Sequence, residues 1–294
     1  MHHDDTLLDQ ITTALLLAAG NGCRLRPLTD DQPKCLTEVD GIPILERLVD
    51  GLCQQGFTRL VVVVGYLGYR IREYLGERRG SLSFEYVVNP QYDTTNNLYS
   101  LWLAREAIQE SFLLIESDLL FEPSLLDDLQ PANKIAVSSL QPWMNGSTVT
   151  VDGSQHVREF QLGEAWDADR LRYKTVNICS LSLWSWWQVI QRLGQHVAAG
   201  RVNGFYERVF AEMAPTAVST SRPSFATPRP GTKSTRSKIC GKSSCSSNPT
   251  AANKPLLLKR RLDSPCARLG TCLRFHCPRR CRIISQTDDR TWLN

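Results

Sequence analysis

The sequence predicts an α/β fold, a mostly parallel sheet flanked by helices and followed by an irregular C-terminal tail, on three observations. Short apolar runs bounded by turn residues recur at residues 14–19 (ALLLAA), 60–64 (LVVVV) and 112–115 (FLLI). Unbroken runs of that length read as strands buried on both faces. Segments with apolar residues at helical spacing separate them, as a parallel sheet requires. Finally, the first run opens directly into Gly20-Asn21-Gly22, and the third ends in Glu116-Ser117-Asp118. Ligands of such sheets bind at the carboxyl ends of the strands.

Taken in order, residues 14–19 are the first strand. Gly20 and Gly22 then allow a tight turn and bring backbone N–H groups close to an anion, because no Cβ intervenes. Arg24 and Lys34 supply positive charge to the same anion. Residues 43–53 (PILERLVDGLC) are helical, 60–64 a buried strand, 71–75 helical, and 82–88 alternate as a strand. Residues 97–108 read as an amphipathic helix, with Thr95 or Asn96 placed to cap it. After the strand at 112–115, Asp118 is the candidate magnesium ligand, a carboxylate facing the glycine loop. The competing role is a helix cap by Ser117 or Asp118. Glu116 is the weaker metal candidate, since a salt bridge would also use it. Lys174 ends an edge-like polar stretch, where it serves either as an anion binder or as a solvated lysine. The Trp184, Trp186 and Trp187 cluster sits on a helix, where packing is the commoner use. Residues 202–213 (VNGFYERVFAEM) complete the helices. Cys23 and Cys35, which flank the loop, read as packing residues.

The net charge of +4 conceals a division near residue 215. Residues 215–294 hold 16 Lys and Arg against three acids, whereas residues 1–214 hold 18 basic side chains against 27 acidic ones. Six of the ten cysteines lie between Cys240 and Cys281. The domains expected are an N-terminal extension (1–12), a globular domain (13–214) and a basic tail (215–294). No apolar run approaches the roughly 18 residues of a membrane span. The acids of MHHDDTLLDQ oppose a secretory signal, so a soluble cytoplasmic protein is expected.

The string LAAGxGxRLxPLTxxxPKxL, residues 17–36, resembles the signature loop of the nucleotidyltransferase superfamily, whose members make nucleoside-diphosphate-activated sugars and alcohols on a Rossmann-like domain. The resemblance implies that Leu17, Ala18, Ala19, Gly20, Asn21 and Gly22 cradle a nucleoside triphosphate. Within the superfamily, the segment from Asn89 to Trp102 (NPxYxxTNNxxSLW) is similar to the branch that activates phosphocholine and 2-aminoethylphosphonate with CTP. That likeness assigns Tyr92, Thr95, Asn96 and the free N–H groups beside them to the base. It assigns Lys174 and Asn177 to the acceptor's phosphate or phosphonate, and Glu207 to its ammonium. An aromatic cage for a choline-like cation could draw on Tyr92, Trp102, Trp143, Trp166, Tyr173 or the tryptophan cluster. The expected partners are therefore CTP, Mg2+ and a small phosphorylated amino alcohol or aminophosphonate; nucleic acid is not expected, and a homodimer is compatible. A sugar-1-phosphate nucleotidylyltransferase and an inactive nucleotide-binding protein are the alternatives.

From Pro215 the periodicity stops, and three readings compete. The tail is a disordered basic segment for nucleic acid or anionic lipid, a zinc module built on Cys266, Cys272, His276, Cys277 and Cys281, or a frameshifted product. The cysteines lack the paired C-x2-C knuckles of structural zinc sites. In the resembling branch, the C-terminal part carries a string like WYEIDTxEDL, whose Asp is the second metal ligand. Pro230 to Gly241 (PGTKSTRSKICG), back-translated with suitable third bases and read from the last base of the proline codon, gives WYEIDTLEDLR. Sequencing the gene across codons 214–222 is expected to find a site where one inserted or deleted base opens the frame containing this string. An unambiguous DNA read in which no single-base change does so refutes the shift.

Overall fold

The computed structural model describes residues 10–142, 144–163 and 171–214, together with the backbone of 274–275 and 281–285. Residues 1–9, Trp143, Trp166 and most of the basic tail, with its cysteines and the shifted string, lie outside the described residues. In chain order the first strands are β1 (Thr13–Ala18), β2 (Glu38–Val39), β3 (Ile42–Pro43), β4 (Arg59–Val64), β5 (Arg78–Arg79), β6 (Leu82–Val88) and β7 (Phe112–Glu116). They are followed by β8 (Leu119–Leu120), β9 (Lys134–Ser139), β10 (Thr148–Val151), β11 (Val157–Gln161), β12 (Tyr173–Leu181), β13 (Arg274–Phe275) and β14 (Cys281–Ser285). The helices are α1 (Ile44–Gln54), α2 (Gly68–Leu75), α3 (Asn97–Leu103), α4 (Leu183–Ala198) and α5 (Glu207–Met213).

The centre of the main sheet is parallel, in the order β7, β1, β4, β6. Antiparallel strands flank it: β5 beyond β6, and β12 beyond β7, with β9, β10 and β11 further out. β14 pairs with β9, and β13 pairs in parallel with β8. Every residue of β1 is buried. Leu15 and Leu17 join the cluster formed with α3, α4 and α5, while Ala14, Leu16 and Ala18 join the one that includes Leu45, Leu48 and Leu52 of α1 and Ile71 and Leu75 of α2. That two-sided burial is why β1, β4 and β7 appear in the sequence as unbroken apolar runs. Each fully buried Leu, Ile or Val contributes about 1.5–3 kcal/mol of transfer free energy.

Three expectations are corrected. The helix expected over 97–108 ends at Leu103, and turns continue it to the buried Ile108. There the Arg105 guanidinium lies 3.6 Å from the Trp102 ring centroid and donates to the Trp102 carbonyl. The helix expected over 202–213 begins only at Glu207. Residues 202–206 are held out of it because the carbonyls of Val202 and Gly204 accept from Asn96 N and Leu98 N, at 3.1 and 3.3 Å, at the start of α3. Lastly, Lys174 does not end an edge strand. β12 is interior, with β9 on one side and β7 and β10 on the other, and all nine of its residues are buried.

The tryptophans of α4 divide as an amphipathic helix requires. Trp186 is fully buried, donates from Nε1 to the Ile108 carbonyl at 3.2 Å and meets Phe112 edge-on, whereas Trp184 and Trp187 are exposed. Truncating Trp186 to Ala is expected to destabilise the domain by about 3–5 kcal/mol, read from urea unfolding; a loss below about 1 kcal/mol contradicts its role as a core anchor.

Candidate active site

The register of the parallel strands fixes where the site lies. Leu17 pairs with Val63 on one side and with Glu116 on the other, so the chain leaves β1, β4 and β7 at one level. The glycine loop, the Gly65 turn and Asp118 follow at that edge. Gly22 has φ +59°, and a Cβ there would lie 3.1 Å from Thr29 Cγ2 and 3.3 Å from Lys34 Cβ. Both the left-handed backbone and the close approach require glycine. Gly20 differs: a Cβ there would meet nothing within 4 Å, which leaves open space at the start of the loop. Inside the loop, Thr29 Oγ1 donates to the Gly22 carbonyl at 2.9 Å and Asn21 Oδ1 accepts from Cys23 N at 3.3 Å.

Lys34, at the far end of the loop, donates to the Asp118 carboxylate and forms a largely buried ion pair with it. Asp118 is thus committed to the loop; the next short helical turn is capped by Glu122, which makes no side-chain cap bond. Arg24 is exposed, and no ion pair engages it among the described residues. Glu116 Oε1 accepts from Asn97 Nδ2 at 3.2 Å. Among the described residues no three His, Cys, Asp or Glu side chains converge as a metal cage. Asp118 nevertheless fits magnesium, which is commonly held by one or two carboxylates together with substrate phosphates.

The segment after β6 is organised by Asn89, which is 1% exposed. Its Nδ2 donates to Thr95 Oγ1 and Ser100 Oγ, and its Oδ1 accepts from Gln91 N. Thr95 Oγ1 in turn donates to the Gln91 carbonyl at 2.6 Å. Asn96 caps α3, its Oδ1 accepting from Asn97 N at 2.8 Å. The expectation of free N–H groups beside Asn96 is corrected, because Asn96 N, Asn97 N and Leu98 N all have protein acceptors. Tyr92 is half-buried, with its ring edge-on to Tyr66.

A second polar cluster is built on β12. Between Thr175 and Cys179 the register against β9 slips, and Asn177 takes φ +62°. Asn177 Nδ2 donates to Glu207 Oε1 at 3.1 Å, at the first turn of α5, and its Oδ1 accepts from Thr175 Oγ1 at 2.9 Å. Lys174 Nζ donates to the carbonyls of Thr175 (2.9 Å) and Ser147 (3.3 Å). Lys174, Asn177 and Glu207 are each about 95% buried. This corrects the solvated-lysine alternative, since burial without polar partners would cost Lys174 several kcal/mol. Burial also raises the neighbouring Cys179 thiol, and the Glu207 charge raises it further. Burial alone pushes Cys35 up to about 12 against the opposing pull of backbone hydrogen bonds, so both are inert packing thiols.

The structure therefore joins Lys34 to Asp118, and Asn177 to both Thr175 and Glu207. Sequence reasoning missed Asn89, Tyr66 and Asn97. Asn97 stands inside the quoted TNN string, and its side chain links Glu116 to the Tyr206 N–H (3.0 Å). For Tyr66 the available signal was Gly65 directly after LVVVV, the same strand-then-glycine pattern that marks Gly20.

Residues 14–144 match the profile of the MobA-like NTP transferase domain. The chain is 40% identical over 142 residues to the CMP-5'-(3-aminopropyl)phosphonate synthase of Streptomyces rubellomurinus, a match covering 47% of this chain and 23% of that one. It is 35% identical over 124 residues to the choline-phosphate cytidylyltransferase of Streptococcus pneumoniae (42% and 52% covered). Against the solved CTP:phosphocholine cytidylyltransferase of that organism the TM-score is 0.55 at 22% identity, covering 69% of this chain and 85% of the other, a likeness of fold. The UTP–glucose-1-phosphate uridylyltransferase AglF of Haloferax volcanii is 39% identical over 114 residues (39% and 46% covered). The chain thus spans about half or less of the length of these curated relatives.

The two loop glycines are expected to respond differently to alanine. Gly22→Ala places a Cβ in a left-handed, crowded position and lowers stability by about 1–2 kcal/mol. Gly20→Ala leaves the thermal midpoint unchanged and weakens binding of a nucleoside triphosphate in calorimetry. Equal effects of both variants on both readouts contradict the assignment of Gly20 to a ligand cradle.

Proposed function

We propose that the chain, whose residues 14–144 match the MobA-like NTP transferase domain, is a magnesium-dependent cytidylyltransferase. It joins CMP from CTP to phosphocholine or an aminoalkyl phosphonate and releases pyrophosphate. The observation that carries this reading is the Lys34–Asp118 pair, which sets a cation and a carboxylate across the glycine loop at the ends of two adjacent parallel strands.

Gly20 and Gly22 bring the loop backbone up to the triphosphate, and Arg24 is free to follow its outer phosphates. Asp118 would hold magnesium, which when bound would supply positive charge against the α-phosphate. Lys34 holds the Asp118 carboxylate in place against the loop. Tyr92, Thr95 and Asn96 shape the base pocket, where the bonds of Thr95 and Asn96 within the loop hold it rigid. Lys174 and Asn177 orient the acceptor's phosphate or phosphonate, and Glu207 supplies negative charge for its ammonium. An acceptor oxygen attacks the α-phosphorus in line. The bond from the α-phosphorus to the bridging oxygen of the β-phosphate breaks, and pyrophosphate leaves with that electron pair. Catalysis is then positioning and charge stabilisation, without a protein nucleophile.

The likeness to AglF favours sugar-1-phosphate transfer as the second reading. A pyrophosphate-release assay across the four ribonucleoside triphosphates, with phosphocholine, 2-aminoethylphosphonate and glucose 1-phosphate, separates the two. CTP with an amino acceptor is expected to be consumed, and UTP with glucose 1-phosphate overturns that expectation. Loss of the second metal carboxylate predicts weak turnover by this chain and recovery in a frame-restored version; ordinary turnover by the chain as it stands refutes that loss. In the frame-restored protein, Asp118→Asn is expected to lower kcat at least about a hundredfold.

A further inference from the structure

We propose that Tyr66 is a positioning residue that clasps both shoulders of the glycine loop and so holds the triphosphate cradle closed. The proposal rests on the reading of that loop as a nucleotide site and adds the part that fixes its shape.

Residues 20–28 contribute no buried side chain, so core packing does not hold them. Their internal bonds are single turns, among them Leu25 N to Gly22 O, Leu28 N to Leu25 O and Asp30 N to Pro27 O. Tyr66, just past the end of β4, reaches this loop twice. Its backbone N–H donates to the Ala19 carbonyl at 3.0 Å, at the point where β1 becomes the loop. Its phenol hydroxyl lies 2.8 Å from the Asp30 carbonyl and 3.1 Å from the Thr29 carbonyl, on the returning limb. One proton serves those two acceptors, and Asp30 is the nearer. Thr29 then passes the restraint inward through its bond to the Gly22 carbonyl.

The clasp is itself braced. The Tyr66 ring meets Tyr92 edge-on, at 6.1 Å between centroids. Gly65 lets β4 approach that closely: a Cβ on it would fall 2.6 Å from Tyr92 Cβ and 2.7 Å from the Ala19 carbonyl. A single residue thus ties together the ends of β1 and β4, the returning limb of the loop and the segment after β6. Core packing and the Lys34–Asp118 pair do not restrain residues 20–28 directly, so the hydroxyl sets how often the cradle opens.

Arg24 gives a direct readout, because it is exposed in the loop's first turn and trypsin cuts after it, whereas Arg26 is protected by Pro27. In the full-length protein, Tyr66→Phe is expected to speed cleavage at Arg24–Leu25, followed by mass spectrometry, by about three- to tenfold, the range a lost hydrogen bond of ordinary strength allows. CTP affinity should fall by a similar factor, with the thermal midpoint unchanged. Tyr86→Phe is the control, since it removes a comparable bond to the Gly76 carbonyl at 2.6 Å, away from the loop, and should leave cleavage at Arg24 unaltered. An unchanged cleavage rate in Tyr66→Phe overturns the clasp, as does a drop in thermal midpoint accompanied by general proteolysis. If cleavage accelerates as expected but CTP fails to protect Arg24 in the unmutated protein, the clasp stands and the nucleotide reading of the loop fails.

Discussion

The site depends on β1 being hydrogen-bonded in parallel on both sides. Parallel neighbours cannot be joined by tight hairpins, so each strand needs a crossover and all of them emerge at the same edge. Here β1 is in register with β4 over its whole length and with β7 over five residues. Their three carboxyl-terminal turns are therefore neighbours whatever their separation in sequence. That constraint sets Lys34 against Asp118, 84 positions later, and brings Tyr66 to the glycine loop. The strand can occupy this place because its one polar side chain, Thr13, donates to Glu110 and the other five residues are apolar.

The polar cluster on β12 uses a different device. A regular pleat along β12 would send alternate side chains to opposite faces, and the slip between Thr175 and Cys179 breaks that alternation around Asn177. A left-handed φ costs an L-residue roughly 1–2 kcal/mol, less for asparagine. Two buried hydrogen bonds, from Thr175 and to Glu207, offset it. Leaving any of these groups without its partner inside the protein costs about 1–3 kcal/mol. The cluster is poorly justified as a stabilising element, since well-packed apolar residues would serve at least as well.

The sequence made the strands legible where burial decides the residue type, and obscured whatever depended on distant partners. β1, β4 and β7 stand out because both of their faces are apolar. The glycine loop and Asp118 follow from the rule that ligands gather at strand ends. Lys174 was misread as edge-like because YKTVN is locally polar, while the strands that enclose it come from residues 112–116, 134–139 and 148–151. The start of α5 was misread because helical spacing continues through 202–206, and periodicity carries no information about carbonyls captured by the N-terminus of another helix. Tyr66 follows a strand-then-glycine pattern and Asn97 stands inside the TNN string, but neither pattern names a partner: each acts through a hydrogen bond that only the topology makes possible.

Stability and chemistry are held by separate parts of this chain. The two apolar clusters on either side of the sheet draw on strands and helices between Ile11 and Ala214, and the loop residues 20–28 add nothing to them. A fold of this kind can stay intact while its loops lose their geometry, or while a wall of the site is missing. On the proposed reading, binding requires only that the cradle be closed, which is a local matter of Tyr66 and of the Thr29 bond to the Gly22 carbonyl. Transfer requires in addition that charge be neutralised from the far side of the α-phosphate as the acceptor arrives. On the proposed reading Asp118, held by Lys34, is the carboxylate that serves that purpose, so nucleotide binding would rest on more of this structure than nucleotidyl transfer would.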